Sequence, residues 1–320
     1  MLLCLQKHAW GADKLQQAKI DSLRSVIANC AQDTTCAKTL LALSDCYRSI
    51  NTDSALFWVQ RLISFSQKKK LGKHIGIGFM AKGNIYRFDS KLGKSKTAYL
   101  LALKEFQKIN DYDGMIEAFN GISFYHFQSG SIQDSIQLYF DKILSLKNFV
   151  QHKNLIGDAY CTYSTWYINK AGYHLAMDHL MSAVKIYDEI HDEQSKLYAI
   201  NSIAVVYGYM KNIDKAIELY KGMEDKALQL RLYPLYSTVL LNLGSFYADK
   251  KEYNKTQDYY RRTLLVNEKY NIREDNDVIY TKFAKIKWIL HQSDSAIYFA
   301  TKALSIASAA NDYQVKRMKN

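Results

Sequence analysis

Residues 242–263, NLGSFYADKKEYNKTQDYYRRT, contain one full copy of the pattern that decides the fold. Gly244 is followed three residues later by Tyr247, and Thr256 is followed four residues later by Tyr260. Residues three or four positions apart lie on one face of an α-helix. The stretch therefore predicts two amphipathic helices joined by a short turn, which we call the first and the second helix of a repeat.

The second-helix pattern recurs along the whole chain. Each copy has a small residue, then four positions later an aromatic or aliphatic residue, and three positions further often another small one. The intervals between the first members are 40, 40, 41, 40, 40 and 40 residues. The seven copies are Ala55/Val59/Leu62, Ser95/Tyr99/Ala102, Ser135/Tyr139/Lys142, Ala176/Leu180/Ala183, Ala216/Tyr220/Met223, Thr256/Tyr260/Thr263 and Ala296/Ala300/Ala303.

The first-helix pattern lies upstream of most of these copies, and short polar turns such as residues 51–53 separate the two helices. Asn and Asp in such turns accept hydrogen bonds from the free amides at the start of a helix. The pattern predicts an all-α fold, a right-handed α-solenoid of about seven antiparallel helix hairpins. The first-helix pairs are Gly83/Tyr86, Gly121/Phe124, Ser164/Tyr167, Ala204/Tyr207 and Gly244/Tyr247.

The composition agrees with this fold class. A single proline in 320 residues argues against architectures that need many hairpin turns. That residue, Pro234, lies where it can open a first helix, a position that tolerates proline. No stretch approaches 18 uninterrupted apolar residues, so we expect no transmembrane segment.

The small/aromatic pattern of both helices resembles the tetratricopeptide repeat (TPR), over roughly residues 35 to 310. The resemblance is carried by residues 242–247 with Tyr253 and Tyr260, and by residues 82–86 with Leu92, Tyr99 and Ala102. The period is 40 residues instead of about 34, so each helix should be nearly a turn longer. In period the chain is similar to longer versions of the motif in peptide-sensing regulators and motor-protein light chains. The proline that often ends a repeat is absent.

The ends of the chain read differently from the array at 35–310. Residues 1–12 form an N-terminal segment, residues 13–34 hold a lone capping helix, and residues 311–320 read as the start of an incomplete further helix after a loop at Asn311 and Asp312. Because an uncapped repeat exposes apolar surface, we expect the chain to be part of a longer array or larger protein. The compartment stays open: the cytoplasm is slightly favoured, and an exported chain follows if residues 1–10 are the remnant of a signal peptide.

Five cysteines occur, and none forms a C-x-x-C pair. Reduced thiols packed as small apolar groups are the favoured interpretation. Cys30 and Cys36 flank a short predicted loop, so a disulfide between them is the alternative in an oxidising compartment.

Motifs of catalysis or cofactor binding are weak. Gly93-Lys94-Ser95 lacks the upstream glycine and strand of a phosphate-binding loop, and His174 with Asp178 lacks further metal ligands. We therefore expect no enzyme activity, no cofactor and no metal.

Positive charge is concentrated in residues 66–108. This segment contains eleven basic and two acidic residues, which gives a net charge of +9 out of the total +12. Such a basic patch attracts phosphates, acidic peptides or anionic lipid headgroups. A polyanion-binding module is therefore a minor alternative, in which nucleic acid is the less favoured ligand because the nearby tyrosines are assigned to packing. The patch consists of Lys68, Lys69, Lys70, Lys73, Arg87, Lys91, Lys94 and Lys96.

First helices line the concave face of TPR-like arrays, so the resemblance implies a protein or peptide partner there. Counting from the small residue of each first helix, positions +1, +4, +5 and −3 should face this groove. Asn can pair with a peptide backbone, Arg with a carboxylate and Tyr with apolar groups. The leading function is a non-catalytic binding scaffold, and the alternative is the sensor portion of a larger signalling or transcription-regulating protein. Partner identity and oligomeric state are left open. The predicted groove residues are Asn84, Arg87, Tyr125, His126, Thr165, Asn169, Asn201, Tyr209, Asp249 and Trp288.

Overall fold

The computed structural model describes residues 16–28, 30, 34–48, 50–129, 133–272 and 276–319; for residues 133, 134 and 309–319 only the backbone is described. These residues form fifteen helices and no strand. The helices are α1 (16–28), α2 (Thr34–Arg48), α3 (Thr52–Lys68), α4 (Gly72–Phe88), α5 (Leu92–Lys108), α6 (Tyr112–Gln128), α7 (Gln133–Ser145), α8 (Asn154–Asn169), α9 (Tyr173–Glu189), α10 (Glu193–Tyr209), α11 (Ile213–Gln229), α12 (Tyr233–Asp249), α13 (Tyr253–Lys269), α14 (Asn276–Ile289) and α15 (Ser293–Lys319).

Seven helix hairpins follow α1, which confirms the predicted all-α solenoid. The even-numbered helices α2 to α14 are the first helices, and the odd-numbered helices α3 to α15 are the second helices. Pro234 occupies the first turn of α12, as predicted. None of the described helices is long and apolar enough to cross a membrane.

The turns explain the 40-residue period. After α3, the Lys70 N–H donates to the Gln67 carbonyl at 3.1 Å, and the Leu71 N–H donates to the Ser66 carbonyl at 2.9 Å. This αL capping motif requires a positive φ, which is 57° at Lys70. Leu71, the residue that follows Lys70, is also the N-cap residue of α4. A 17-residue helix plus a three-residue turn advances the chain by 20 residues, and two such steps make one repeat.

A residue with the same left-handed backbone conformation recurs at ten connections between helices, and none of these ten residues is glycine. It closes first and second helices alike, so both connections of a repeat use one turn type. The ten residues are Lys70, Ser90, Asn110, Ala171, His191, Lys211, Arg231, Lys251, Asn271 and His291.

Small residues and tyrosines pack the interior as the pattern predicted. Tyr99 of α5 is 1% exposed, and its ring lies between Gly83 of α4 and Gly121 of α6. A Cβ added at Gly121 would lie 2.9 Å from that ring, so the close approach requires glycine there. Tyr220 and Tyr260 occupy the equivalent buried places in later repeats.

The register of the third repeat differs from the prediction. Among the described residues of α7, the buried side chains are Ile136, Phe140 and Ile143, which are 2%, 4% and 1% exposed. The predicted set Ser135/Tyr139/Lys142 lies one residue earlier on the helix and is at most half-buried. One residue turns a helix by about 100°, so the larger apolar side chains decide which face is buried. The 41-residue interval therefore lies between the second and third repeats.

Compact packing divides the chain into two units, Met1–Ala159 and Tyr160–Asn320, with the division inside α8. In the first unit, α2 contacts α4 and α4 contacts α6, in addition to the contacts within and between neighbouring hairpins. In the second unit, α10 contacts α12. First helices α2, α4 and α6 thus stand beside one another in the first unit, as do α10 and α12 in the second.

Two expectations about the ends need correction. Helix α15 continues unbroken through Asn311 and Asp312, where we expected a loop and a separate helix at 311–320. Neither residue is a glycine or proline, and a polar pair alone does not stop a helix. Cys30 and Cys36 are joined by a disulfide with Cα atoms 5.8 Å apart, so the reduced-thiol interpretation is wrong for this pair. The predicted segment 1–12 lies outside the described residues.

Candidate functional site

Asn201 of α10 lies at the centre of the candidate site in the second unit. Its side-chain oxygen Oδ1 is buried, and no described residue donates a hydrogen bond to it. Its main-chain carbonyl accepts a 3.4 Å hydrogen bond from the Tyr220 hydroxyl of α11. Asn201 was predicted for the groove, and it is one of two predicted residues with an unpaired buried side-chain atom among the described residues, the other being His126 at Nδ1.

Tyr220 links this residue to the next first helix. The Asn242 Nδ2 of α12 donates a 2.8 Å hydrogen bond to the Tyr220 hydroxyl. Tyr220 is fully buried, and burial raises the pKa of its phenol far above the usual range. The neutral hydroxyl therefore stays between α10 and α12 at any ordinary pH. Asn242 was not predicted as a site residue, because its place depends on a tyrosine from the second helix.

A pocket of about 120 Å³ opens beside Asn201. It lies between α10, the first turns of α12 and the turn that leads into α14. Two of its three hydroxyl groups are engaged: Ser237 donates to the Asn267 side chain, and Thr238 donates to the Pro234 carbonyl at 3.0 Å. The lining consists of Tyr198, Asn201, Pro234, Leu235, Ser237, Thr238 and Ile272.

A second pocket, of about 300 Å³, lies at the equivalent place in the first unit. Ile77 in α4 stands at the same helix position as Tyr198 in α10, and Glu117 in α6 stands where Thr238 stands in α12. The lining is charged instead of neutral. It consists of Lys73, Ile77, Phe106, Asp111, Asp113, Gly114, Glu117, His152, Asn154 and Leu155.

The acids of this pocket differ in their partners. Asp113 accepts hydrogen bonds from His152 Nδ1 at 2.5 Å and from the Gln151 N–H at 2.9 Å. Burial would raise the pKa of Asp113, but these bonds outweigh it and lower the pKa. Glu117 has no such donor among the described residues. Desolvation of its carboxyl group, followed by repulsion from the Asp111 and Asp113 carboxylates, raises its pKa. The pocket lining therefore includes a carboxylate, Glu117, whose charged form is disfavoured.

The other predicted residues of the first unit serve packing and stacking. Asn84 accepts a 2.7 Å hydrogen bond from the buried Tyr99 hydroxyl. The Arg87 guanidinium lies 4.6 Å from the Phe124 ring centroid, and Lys96 lies 4.7 Å from the Tyr125 ring centroid.

His126 occupies a packing place instead of a groove position. Its ring stacks on Tyr139 with centroids 5.6 Å apart, and burial followed by the Lys96 charge lowers its pKa. The expected register started from Gly121, but the 40-residue step from Gly83 leads to Ser123, which is 7% exposed. His126 therefore corresponds to Tyr86.

The remaining predicted residues of the second unit lie at separate places. Thr165 donates to the Cys161 carbonyl at 3.0 Å, and Asn169 donates to the Thr165 carbonyl at 3.0 Å, so both hydrogen bonds stay within α8. Tyr209 stacks on Tyr173 with centroids 5.6 Å apart. Asp249 and Trp288 are exposed, Trp288 at 64%. Apart from Asn201, these residues do not line the pocket of the second unit.

The predicted basic patch is not one surface. Lys68, Lys69 and Lys70 lie at the turn before α4, whereas Lys91 and Lys94 lie at the turn after it. A 17-residue helix is about 25 Å long, so the two groups are separated by that length. Lys91 is paired with Asp89 at 2.5 Å, and Lys73 with Asp111 at 3.4 Å. In the described residues, no group of three or more His, Cys, Asp or Glu could hold a metal ion.

Comparison with solved structures identifies relatives in fold. The apo form of the quorum sensor NprR from B. thuringiensis matches with a TM-score of 0.64 and 13% identity, covering 94% of this chain and 92% of that chain. A Rap protein complexed with Competence and Sporulation Factor matches with a TM-score of 0.59 and 14% identity, covering 91% and 80%. No protein-family profile matches the sequence, and no curated protein sequence matches it.

A third match is a signal transduction ATPase with a tetratricopeptide repeat sensor from Pyrococcus horikoshii. Its TM-score is 0.59 at 16% identity, covering 81% of this chain but 41% of that protein. The chain thus spans about two fifths of that protein. Together the matches show that the chain has the fold of a TPR-like helical repeat protein.

Proposed function

We propose that this TPR-like chain is a non-catalytic module that binds a protein or peptide partner along its first helices. The single observation that supports this most is Asn201 Oδ1, which is buried beside a pocket without a donor among the described residues. A buried polar atom without a partner costs about 1–3 kcal/mol. An N–H group brought by a ligand removes that cost, and a peptide main chain offers one at nearly every residue.

Catalysis is left out of the proposal on chemical grounds. A nucleophile needs a base that takes its proton. The two aliphatic hydroxyl groups of the pocket, on Ser237 and Thr238, instead donate to an amide oxygen and a main-chain carbonyl. Neither partner is a base, so the pocket is suited to binding.

A role as the sensor portion of a larger signalling protein is the second form of this proposal. It is supported by the names of two relatives in fold, one a quorum sensor and one a tetratricopeptide repeat sensor. Polyanion binding through the basic patch is a weaker candidate, because its lysines stand at opposite ends of α4.

Selection from a random heptapeptide library displayed on phage tests the proposal. The full chain should enrich peptides, and selected peptides carrying a photo-crosslinking residue should attach to α10 and α12. Attachment to the second helices α11 and α13 alone, or a failure to enrich any peptide, would contradict the proposed function.

A further inference from the structure

We propose that the pocket beside Asn201 receives one short aliphatic side chain of the bound partner, next to the main-chain N–H that Asn201 accepts. This inference rests on the proposed function and adds a side-chain specificity to it. Asn201 connects the two features, because it is part of the pocket lining and its side-chain oxygen has no donor among the described residues.

The chemistry of the lining excludes charged side chains. None of the seven lining residues carries a charge, and burying an unpaired charge is costly. The Ser237 and Thr238 hydroxyl hydrogens are already donated to partners inside the protein. Leu235, Pro234 and Ile272 supply aliphatic walls. An apolar side chain therefore fits the pocket at the lowest cost.

The size of the pocket further limits which apolar side chains of the partner it can hold. An engineered protein cavity of about 150 Å³ binds benzene, and this pocket is smaller, at about 120 Å³, whereas a Phe or Tyr side chain is larger than benzene. Aromatic side chains are thus too large. Valine, leucine and isoleucine fit, and each gains from the removal of its surface from water.

The pocket of the first unit shows what distinguishes the two sites. Where Thr238 lies in one, Glu117 lies in the other, together with Asp111 and Asp113. An aliphatic preference should therefore depend on the residue at position 238 and not on α6.

The test uses the heptapeptide selection with the full chain and its variants. Selected peptides should carry Val, Leu or Ile at one fixed position, and Ala at that position should weaken binding about tenfold. Thr238→Phe and the smaller Thr238→Leu fill the pocket and should bring the ratio of the Kd of the Ala peptide to the Kd of the aliphatic peptide close to one. Thr238→Val keeps the volume and should leave the ratio near ten; circular dichroism checks that each variant is folded.

The outcomes separate the two proposals. Peptides that bind α10 and α12 but show no aliphatic position, or a ratio that Thr238→Phe and Thr238→Leu leave unchanged, would overturn the aliphatic pocket and keep the proposed function. A selection that enriches no peptide would overturn both.

Discussion

The Asn242 side-chain amide donates a 2.8 Å hydrogen bond to the hydroxyl of Tyr220, a fully buried residue of the preceding second helix. The same hydroxyl donates to the Asn201 carbonyl. One tyrosine thus ties two first helices together at Asn201, which is also part of the pocket lining. The packing residue of the repeat and the polar residues of the candidate site are therefore parts of one arrangement.

Replacing Tyr220 by Phe should keep the ring packed and remove both hydrogen bonds. We expect the free energy of unfolding to fall by about 1–2 kcal/mol, measured by chemical denaturation. Tyr198→Phe is the control, because Tyr198 is 42% exposed and no described residue bonds its hydroxyl. Equal stabilities of the two variants would show that the hydrogen bonds of Tyr220 contribute nothing.

Ala171→Gly should stabilise the protein. Ala171 has a φ of 56°, a conformation that costs an L-residue about 1–2 kcal/mol and glycine almost nothing. We expect a gain of about 0.5–1 kcal/mol in the free energy of unfolding, since the entropy of the unfolded chain offsets part of the relief. Asn110→Gly should gain less, because Asn tolerates this conformation best after Gly. A loss of stability in Ala171→Gly would mean that the turn has another geometry.

Two glycines inside helices should respond to alanine in opposite directions. A Cβ at Gly244 would lie 2.5 Å from the Tyr260 ring, whereas nothing lies within 4 Å of a Cβ at Gly222. Gly244→Ala should lower the free energy of unfolding by about 1–3 kcal/mol through overpacking. Gly222→Ala should raise it by up to about 1 kcal/mol through helix propensity. Thermal denaturation of both variants measures this, and the same sign in both would contradict the packing described here.

Glu117→Gln should stabilise the protein at neutral pH. The pKa of Glu117 is raised in the folded state, so folding is penalised wherever the carboxylate is charged. The gain should be present above the raised pKa and vanish below about pH 4, where the carboxyl is protonated in both states. The midpoint of thermal unfolding against pH measures it. Glu218→Gln on α11 controls for the loss of one negative charge, and a gain that persists at low pH would contradict this origin.

The fold could be predicted from the sequence because the packing positions repeat with their residue types. Gly83 with Tyr86 and Thr256 with Tyr260 reveal the two helices and their 40-residue step. The 20-residue advance of each helix and its turn was harder to predict from the sequence. The usual mark of an αL turn is glycine, and here Lys70 or His291 occupies that position.

The candidate site was predictable only in part. Asn201, which lines the candidate pocket, was predicted for the groove because it lies three residues before the small residue Ala204. Asn242 and Thr238 were missed because their roles come from neighbouring helices, through Tyr220 and the pocket wall. His126 was misplaced because Gly121 looks like the small residue of its helix, whereas Ser123 holds that place.

Calorimetric titration of a selected heptapeptide against Asn201→Ala measures whether Asn201 accepts a hydrogen bond from the bound peptide. Asn254→Ala is the matched control, because Asn254 is exposed on the second helix α13. Loss of one hydrogen bond of about 1.4 kcal/mol weakens binding tenfold. We expect about tenfold weaker binding by Asn201→Ala and no change in Asn254→Ala. Equal affinities of Asn201→Ala and the unaltered chain would contradict it.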